Sequence, residues 1–140
     1  MRNMEYELAR QVLNLANQIV KNRNKHLKEL NITAEQADSL TFFCSGGNKS
    51  ISDLKDHLHI SHQTARGIVK RLEEKDFLKL SVSKSDGRYK TISLTEKGIH
   101  IVECLKRNGT HTGYQLLSGM TETEQEQFAT LIAQSLKNIK

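Results

Sequence analysis

The chain has 140 residues, with 21 Lys and Arg against 16 Asp and Glu and a formal net charge of +5. That length suits one domain, and an excess of charge this small points to a partner only where it is concentrated. Aromatic residues make up 5% and proline is absent, so aliphatic side chains must build the core and helices can run long. No apolar run approaches the ~20 residues that cross a bilayer, and the opening MRNMEYELARQ has no signal-peptide core. Two cysteines, Cys44 and Cys104, do not make a disulfide framework. The expectation is a cytoplasmic protein with no membrane partner.

In chain order, Leu8, Val12, Leu15 and Ile19 recur at helical spacing and form the stripe of a first helix, with Met4, Ala16, Leu27 and Leu30 near its edges. Thr33 and Gln36 have capping-box spacing for a second helix through Ala37, Leu40, Thr41 and Cys44, which Ser45-Gly46-Gly47-Asn48 ends. A short helix follows from Ile51 to about Leu58, and the turn His59-Ile60-Ser61 leads into another, which makes the pair a helix-turn-helix.

That next helix carries the chemistry. Ser61 is its predicted cap, accepting from the free amides of the first turn. Ala65, Ile68, Val69 and Leu72 fall on one stripe toward the core. Gln63, Gly67, Lys70 and Glu74 face the other way, flanked by Arg66 and Arg71, while His62, Gln63 and Thr64 stand at the amino-terminal end that a recognition helix presents to base edges. Gly67 is the odd member of this face, since glycine inside a helix costs about 0.5–1 kcal/mol relative to alanine. Two readings stand for it: close approach of the helix backbone to a ligand such as a groove wall, or a tolerated glycine on an exposed face.

Leu78, Leu80 and Val82 then alternate with Lys79, Ser81 and Ser83, the period of a strand with one buried side, and Ile92 and Leu94 continue it on a return strand. Between them Lys84-Ser85-Asp86-Gly87-Arg88 is a hairpin signal, with Lys90 just beyond. The expected tip is exposed and basic, and an arginine there suits a narrow minor groove. Ser61 to Gly98 holds nine Lys and Arg against five acids, so this segment alone accounts for +4 of the chain's +5. Such a localised positive field is what release of phosphate counterions requires.

These residues also carry a family likeness. Thr64-Ala65-Arg66 through Leu72-Glu73, then Asp86-Gly87-Arg88 and Leu94-Thr95-Glu96-Lys97-Gly98, resemble the MarR family of bacterial transcriptional regulators, whose usual signature pairs Asp-x-Arg with Leu-Thr-x-x-Gly. Length, flanking helices and order of elements extend the resemblance over nearly the whole chain, while the specific motifs are confined to the winged-helix segment. It implies a dimeric repressor or activator with the helix from Ser61 in the major groove and Arg88 at the wing tip, controlled by a small molecule, a metal or an oxidant. Gly67, Asp76 and Leu80 depart from the pattern, standing where the family commonly has a larger polar residue, a glycine and an arginine. Asp76 tolerates the left-handed conformation better than most residues and can still end the helix.

From Thr95 a further helix has Ile101, Val102 and Leu105 on its inner side and extends toward Leu117, with Gly109 and Gly113 as possible marks of a bend or a close approach. Thr121 and Glu124 match a capping box before a last helix striped by Phe128, Leu131, Ile132, Ser135, Leu136 and Ile139. If residues 50–98 close their own small core, the terminal helices have stripes left to bury, and a two-fold dimer is the economical answer. It predicts a near-palindromic double-stranded site with half-sites about 10 bp apart or a simple multiple.

The fold expected is mainly α with a small β-hairpin wing (α+β), one domain over 1–140. A winged helix-turn-helix spans 50–98, with dimerisation helices over 1–32 and 99–140. The function expected is a sequence-specific DNA-binding regulator, a homodimeric repressor released by a small organic effector bound between the dimer helices and the winged-helix unit, as the resemblance implies. The DNA-binding set is His62, Gln63, Thr64, Arg66, Gly67, Lys70, Arg71, Lys84, Asp86, Arg88 and Lys90. No cofactor is expected. No phosphate loop, nucleophile elbow or His-Glu-x-x-His motif occurs, so no enzyme is expected either. Three alternatives stay open: metal sensing through histidines such as His57 and His59, redox sensing through Cys44 or Cys104, and a winged helix that binds protein instead of DNA. No metal site is assigned, because residues two apart on a helix point in different directions.

Overall fold

The computed structural model describes residues 1–82 and 90–139. Its elements are α1 (Met4–Glu29), α2 (Ala34–Cys44), α3 (Ile51–Leu58), α4 (His62–Glu74), β1 (Leu78–Val82), β2 (Lys90–Leu94), α5 (Glu96–Leu116) and α6 (Glu122–Asn138). They form two compact units, Met1–Asn108 and Gly109–Lys140. The expected hairpin turn, with Lys84, Asp86 and Arg88, lies outside the described residues.

In the first unit α2 starts where Thr33 and Gln36 predict. The Thr33 hydroxyl accepts from the Gln36 amide at 3.1 Å and the Gln36 side chain accepts from the Thr33 amide at 3.2 Å. Ser50 and Asp53 cap α3 in the same reciprocal way. The Ser61 hydroxyl accepts from the Thr64 amide at 3.0 Å, which begins α4 at His62. Three helices end on a non-glycine residue with positive φ: Asn31 at 56°, His59 at 55° and Asp76 at 65°. At Asp76 the Phe77 amide reaches back to the Leu72 carbonyl and the Asp76 amide to that of Glu73. This is a Schellman closure with aspartate in the usual glycine position.

The two strands pair antiparallel with Leu78 opposite Leu94, Leu80 opposite Ile92 and Val82 opposite Lys90, and Lys49 adds a single bridge to Ile92. Alternation holds, but burial fades along it. Leu78 and Ile92 are buried and Leu80 is half-buried, whereas Val82 is 58% exposed. The expectation of a buried face through Val82 is corrected: beyond Leu80 no element of the core lies beneath the strand.

The core joins Leu54 of α3, the stripe Ala65, Ile68, Val69 and Leu72 of α4, and Phe77, Leu78 and Ile92. It also takes Leu27 and Ile32 from the end of α1, Ala37, Leu40 and Phe43 from α2, and Ile101 and Val102 from α5. A core closed within 50–98 is therefore not what forms. Lys75 ties the same elements by polar contacts, donating to the Asn31 carbonyl at 2.7 Å and to the Gln36 side chain at 3.1 Å.

Where α4 gives way to the strands, the Leu-Thr-x-x-Gly motif has a physical explanation. The Thr95 hydroxyl donates to the Asp76 carbonyl at 2.6 Å and accepts from the Gly98 amide at 3.1 Å, so one side chain caps α5 and holds the exit of α4. Gly98 is buried, and a Cβ there would stand 2.1 Å from the Phe77 carbonyl oxygen.

In the second unit α5 continues through Gly109 and Gly113 to Leu116, Gly119 turns the chain at φ 83°, and the predicted box of Thr121 and Glu124 caps α6. No residue of α6 is buried, and Leu131, Leu136 and Ile139 are exposed. Among the described residues no helix is long and apolar enough to cross a membrane.

The glycine contact yields a direct expectation. Gly98→Ala should lower the unfolding free energy by about 3 kcal/mol, because the added carbon meets backbone and not a yielding side chain. Thr95→Ala should cost about 1 kcal/mol, as for the loss of a helix cap. Chemical denaturation of both variants checks the order, which would be reversed if α5 could slide off Phe77.

Candidate nucleic-acid interface

Burial of Ala65, Ile68, Val69 and Leu72 fixes the rotation of α4 and turns its other side outward. His62, Gln63, Thr64, Arg66, Lys70 and Arg71 are all exposed, and Gly67 is half-buried. The Thr64 hydroxyl accepts from that of Ser61 at 2.8 Å, so it sits within the cap while keeping its own proton to donate. The ion pairs among the described residues are Arg2 with Glu7, Arg23 with Asp38 and Lys55 with Asp56. None engages Arg66, Lys70 or Arg71, whose charge is left facing solvent.

A cleft of about 700 Å³ opens between the start of α3, α4 and the strands. His62, Arg66 and Lys70 reach it from α4 and Lys90 from β2, with Glu73 as the one acid in its lining among the described residues, over a floor that includes Ile51, Val69, Leu80 and Ile92. Four residues of the predicted set thus meet in one basic concavity. Leu80, where the family commonly carries arginine, makes part of its floor apolar. Arg71 is not among them: it lines a separate depression with Glu35, Gln36 and Ile68 beside the start of α2. Gln63, Thr64 and Gly67 line neither depression and lie on the open outer face of α4. Lys84, Asp86 and Arg88 lie outside the described residues.

The sequence reading missed Ser50 and Ser52, which bring the amino-terminal end of α3 to the cleft. Their signal was present, since Ser50 and Asp53 have the spacing of a capping box. A helix start carries partial positive charge and adds to the basic lining.

The residues weighed for other chemistry are placed differently. α3 ends between His57 and His59, and the His57 ring stacks on Phe42 with centroids 4.3 Å apart. Among the described residues no three His, Cys, Asp or Glu side chains lie together as a metal site. Cys44 and Cys104 are half-buried free thiols, and the Cys104 sulfur accepts from the Arg107 guanidinium at 3.2 Å.

The sequence profile of the MarR family matches residues 30–88. The HTH-type transcriptional regulator YybA of Bacillus subtilis (strain 168), an uncharacterized protein, is 27% identical over 117 residues, 84% of this chain and 78% of its own length. Among solved structures, a mutant of S. aureus MepR is 26% identical, with a TM-score of 0.81 over 99% of this chain and 100% of that one. The S. aureus MepR–DNA complex, 23% identical over 96% of this chain and 99% of that one, shares the fold with a TM-score of 0.77. Proteins of this family are transcriptional regulators and not enzymes. With six helices and a two-stranded wing among the described residues and the Leu-Thr-x-x-Gly junction in place, this chain is similar to the MarR family of winged-helix transcriptional regulators, in sequence over the matched segment and in fold over nearly its whole length.

Proposed function

We propose that the protein is a sequence-specific DNA-binding repressor that acts in the cytoplasm as a homodimer and releases its operator when a small organic effector binds. The observation that carries the DNA reading is the outer side of α4, where Gln63, Arg66, Lys70 and Arg71 are exposed and the three cations have no ion-pair partner among the described residues. A winged helix turned to protein binding would expose an apolar surface there instead. In this reading α4 enters the major groove, and Gln63 reads a base edge. Arg66, Lys70 and Lys90 meet phosphates around the basic cleft, and Lys84, Asp86 and Arg88 belong to the set assigned to the neighbouring backbone or minor groove. MepR, seen on DNA with the same fold, supports this placement by likeness.

The dimer reading rests on apolar surface that the chain leaves uncovered. Leu8, Val12 and Leu15 of α1 are 40–55% exposed, and Leu131, Leu136 and Ile139 of α6 are 65–81% exposed. A second copy covers such stripes and supplies a second recognition helix, hence a near-palindromic operator. The effector follows from the family alone.

Binding to the DNA upstream of the protein's own gene should fall linearly on a log–log plot against salt, with a slope of about −0.9 per phosphate neutralised. Absence of binding at low salt would remove the proposal. Arg88→Ala should weaken the complex on every sequence and flatten that slope by about one unit, while Gln63→Ala should chiefly relax base preference. Equal loss on operator and random DNA would take the reading role away from Gln63.

For assembly, light scattering should give twice the 15.9 kDa chain mass. Leu136→Asp should shift the protein toward the monomer with unit 1–108 still folded; an unchanged mass would place the dimer contacts elsewhere.

A further inference from the structure

We infer that Gly67 is a notch in the recognition helix that receives the 5-methyl group of a thymine on the floor of the major groove. The inference rests on the DNA-binding reading above and adds a base preference to it.

A glycine within a helix requires a reason, because alanine is the better helix former at any ordinary position. Two reasons internal to the protein fail here. Gly67 lies inside α4 with no positive φ, unlike Gly46, Gly47 and Gly119, so no left-handed backbone demands it. A Cβ built on it meets no heavy atom within 4 Å among the described residues, unlike Gly98, so no neighbour of the fold demands it either. Gly109 and Gly113 of α5 share both features, and what sets Gly67 apart is its place on the outward face of α4 beside Gln63, Arg66 and Lys70.

That place says which surface meets it. Gly67 sits between Gln63, one turn before it, and Lys70 and Glu74 after it, in the middle of the outward face, while Arg66 and Arg71 hold the edges. Edge positions of a helix in a groove meet the phosphate walls and central positions meet base edges. A central position without a side chain lets the floor come up to the helix backbone and offers it only an apolar Cα. The one apolar group that base pairs raise into the major groove is the thymine methyl. Gln63 beside the notch then has a neighbouring base edge within reach.

The notch makes the methyl and a β-carbon rivals for one space, which gives the test. Duplexes are selected with the wild-type protein from a pool with a randomised core, and each thymine of the selected site is replaced in turn by uracil. At one thymine per half-site, losing the methyl should weaken wild-type binding roughly fourfold, the equivalent of one buried methyl group. Gly67→Ala should raise the melting temperature by roughly 2–4 °C and bind the thymine-containing duplex at least about tenfold more weakly, while uracil at that same position restores part of its affinity. The inference is overturned if Gly67→Ala binds the selected duplex as tightly as wild type, or if every uracil substitution affects both proteins alike. Failure of the wild-type protein to select any duplex overturns the DNA-binding reading itself and this one with it.

Discussion

The Phe77 carbonyl is the point on which the placement of α4, the strands and α5 depends. It accepts the Thr95 amide at 3.0 Å, and the backbone of α5 lies so close over it that only glycine fits at position 98. One residue earlier, the Asp76 carbonyl takes the Thr95 hydroxyl. The exit of α4 and the entry of α5 are therefore locked within one turn, and the strand ladder starts beside the lock with Leu78 opposite Leu94. Since a slip of one residue would turn every strand side chain over, a register set at this base carries out to Val82 and Lys90, where burial no longer enforces it. The wing is aimed from its root.

The same lock fixes what α4 shows to the outside. Its carboxyl end is closed by Asp76 and stapled through Lys75 to the α1–α2 connection, its amino end is capped by Ser61, and four apolar side chains hold its inner stripe. With rotation and both ends fixed, Arg66, Lys70 and Arg71 are held on the outward side of α4, and no ion pair among the described residues engages them. Leaving exposed cations unpaired costs little, because surface ion pairs contribute ~0–1 kcal/mol each. The field they project is then available to phosphates, for which displacement of counterions supplies the driving force.

Much of this was legible from residues alone, for reasons that differ by element. Helix starts were read well because a capping box is a local device: Thr33 with Gln36 and Thr121 with Glu124 form the reciprocal bonds that their spacing implies. The inner stripe of α4 was read because period and burial coincide there. Val82 was misread because alternation reports which side of a strand faces inward and not how far the core extends beneath it. The reach of the core into α1 and α2 was missed for a related reason, since Leu27 and Phe43 join it through tertiary contacts that no local period encodes. Within the site, Arg71 was grouped with Arg66 by helical angle alone, yet α2 lies on one flank and the strands on the other, so the two guanidinium groups line different depressions. Ser50 and Ser52 escape the sequence reading because the short helix from Ile51 is placed there by its order in the chain, with no account of its cap or of the cleft its end borders.

The second unit presents the opposite balance of forces. Whereas the first carries a continuous core, α6 has a completed capping box and no buried residue. A cap contributes about 1 kcal/mol, and most helical stability in proteins comes from packing of an amphipathic face. Local signals therefore specify where α6 begins, whereas Leu131, Leu136 and Ile139 stay exposed and contribute no burial to hold it.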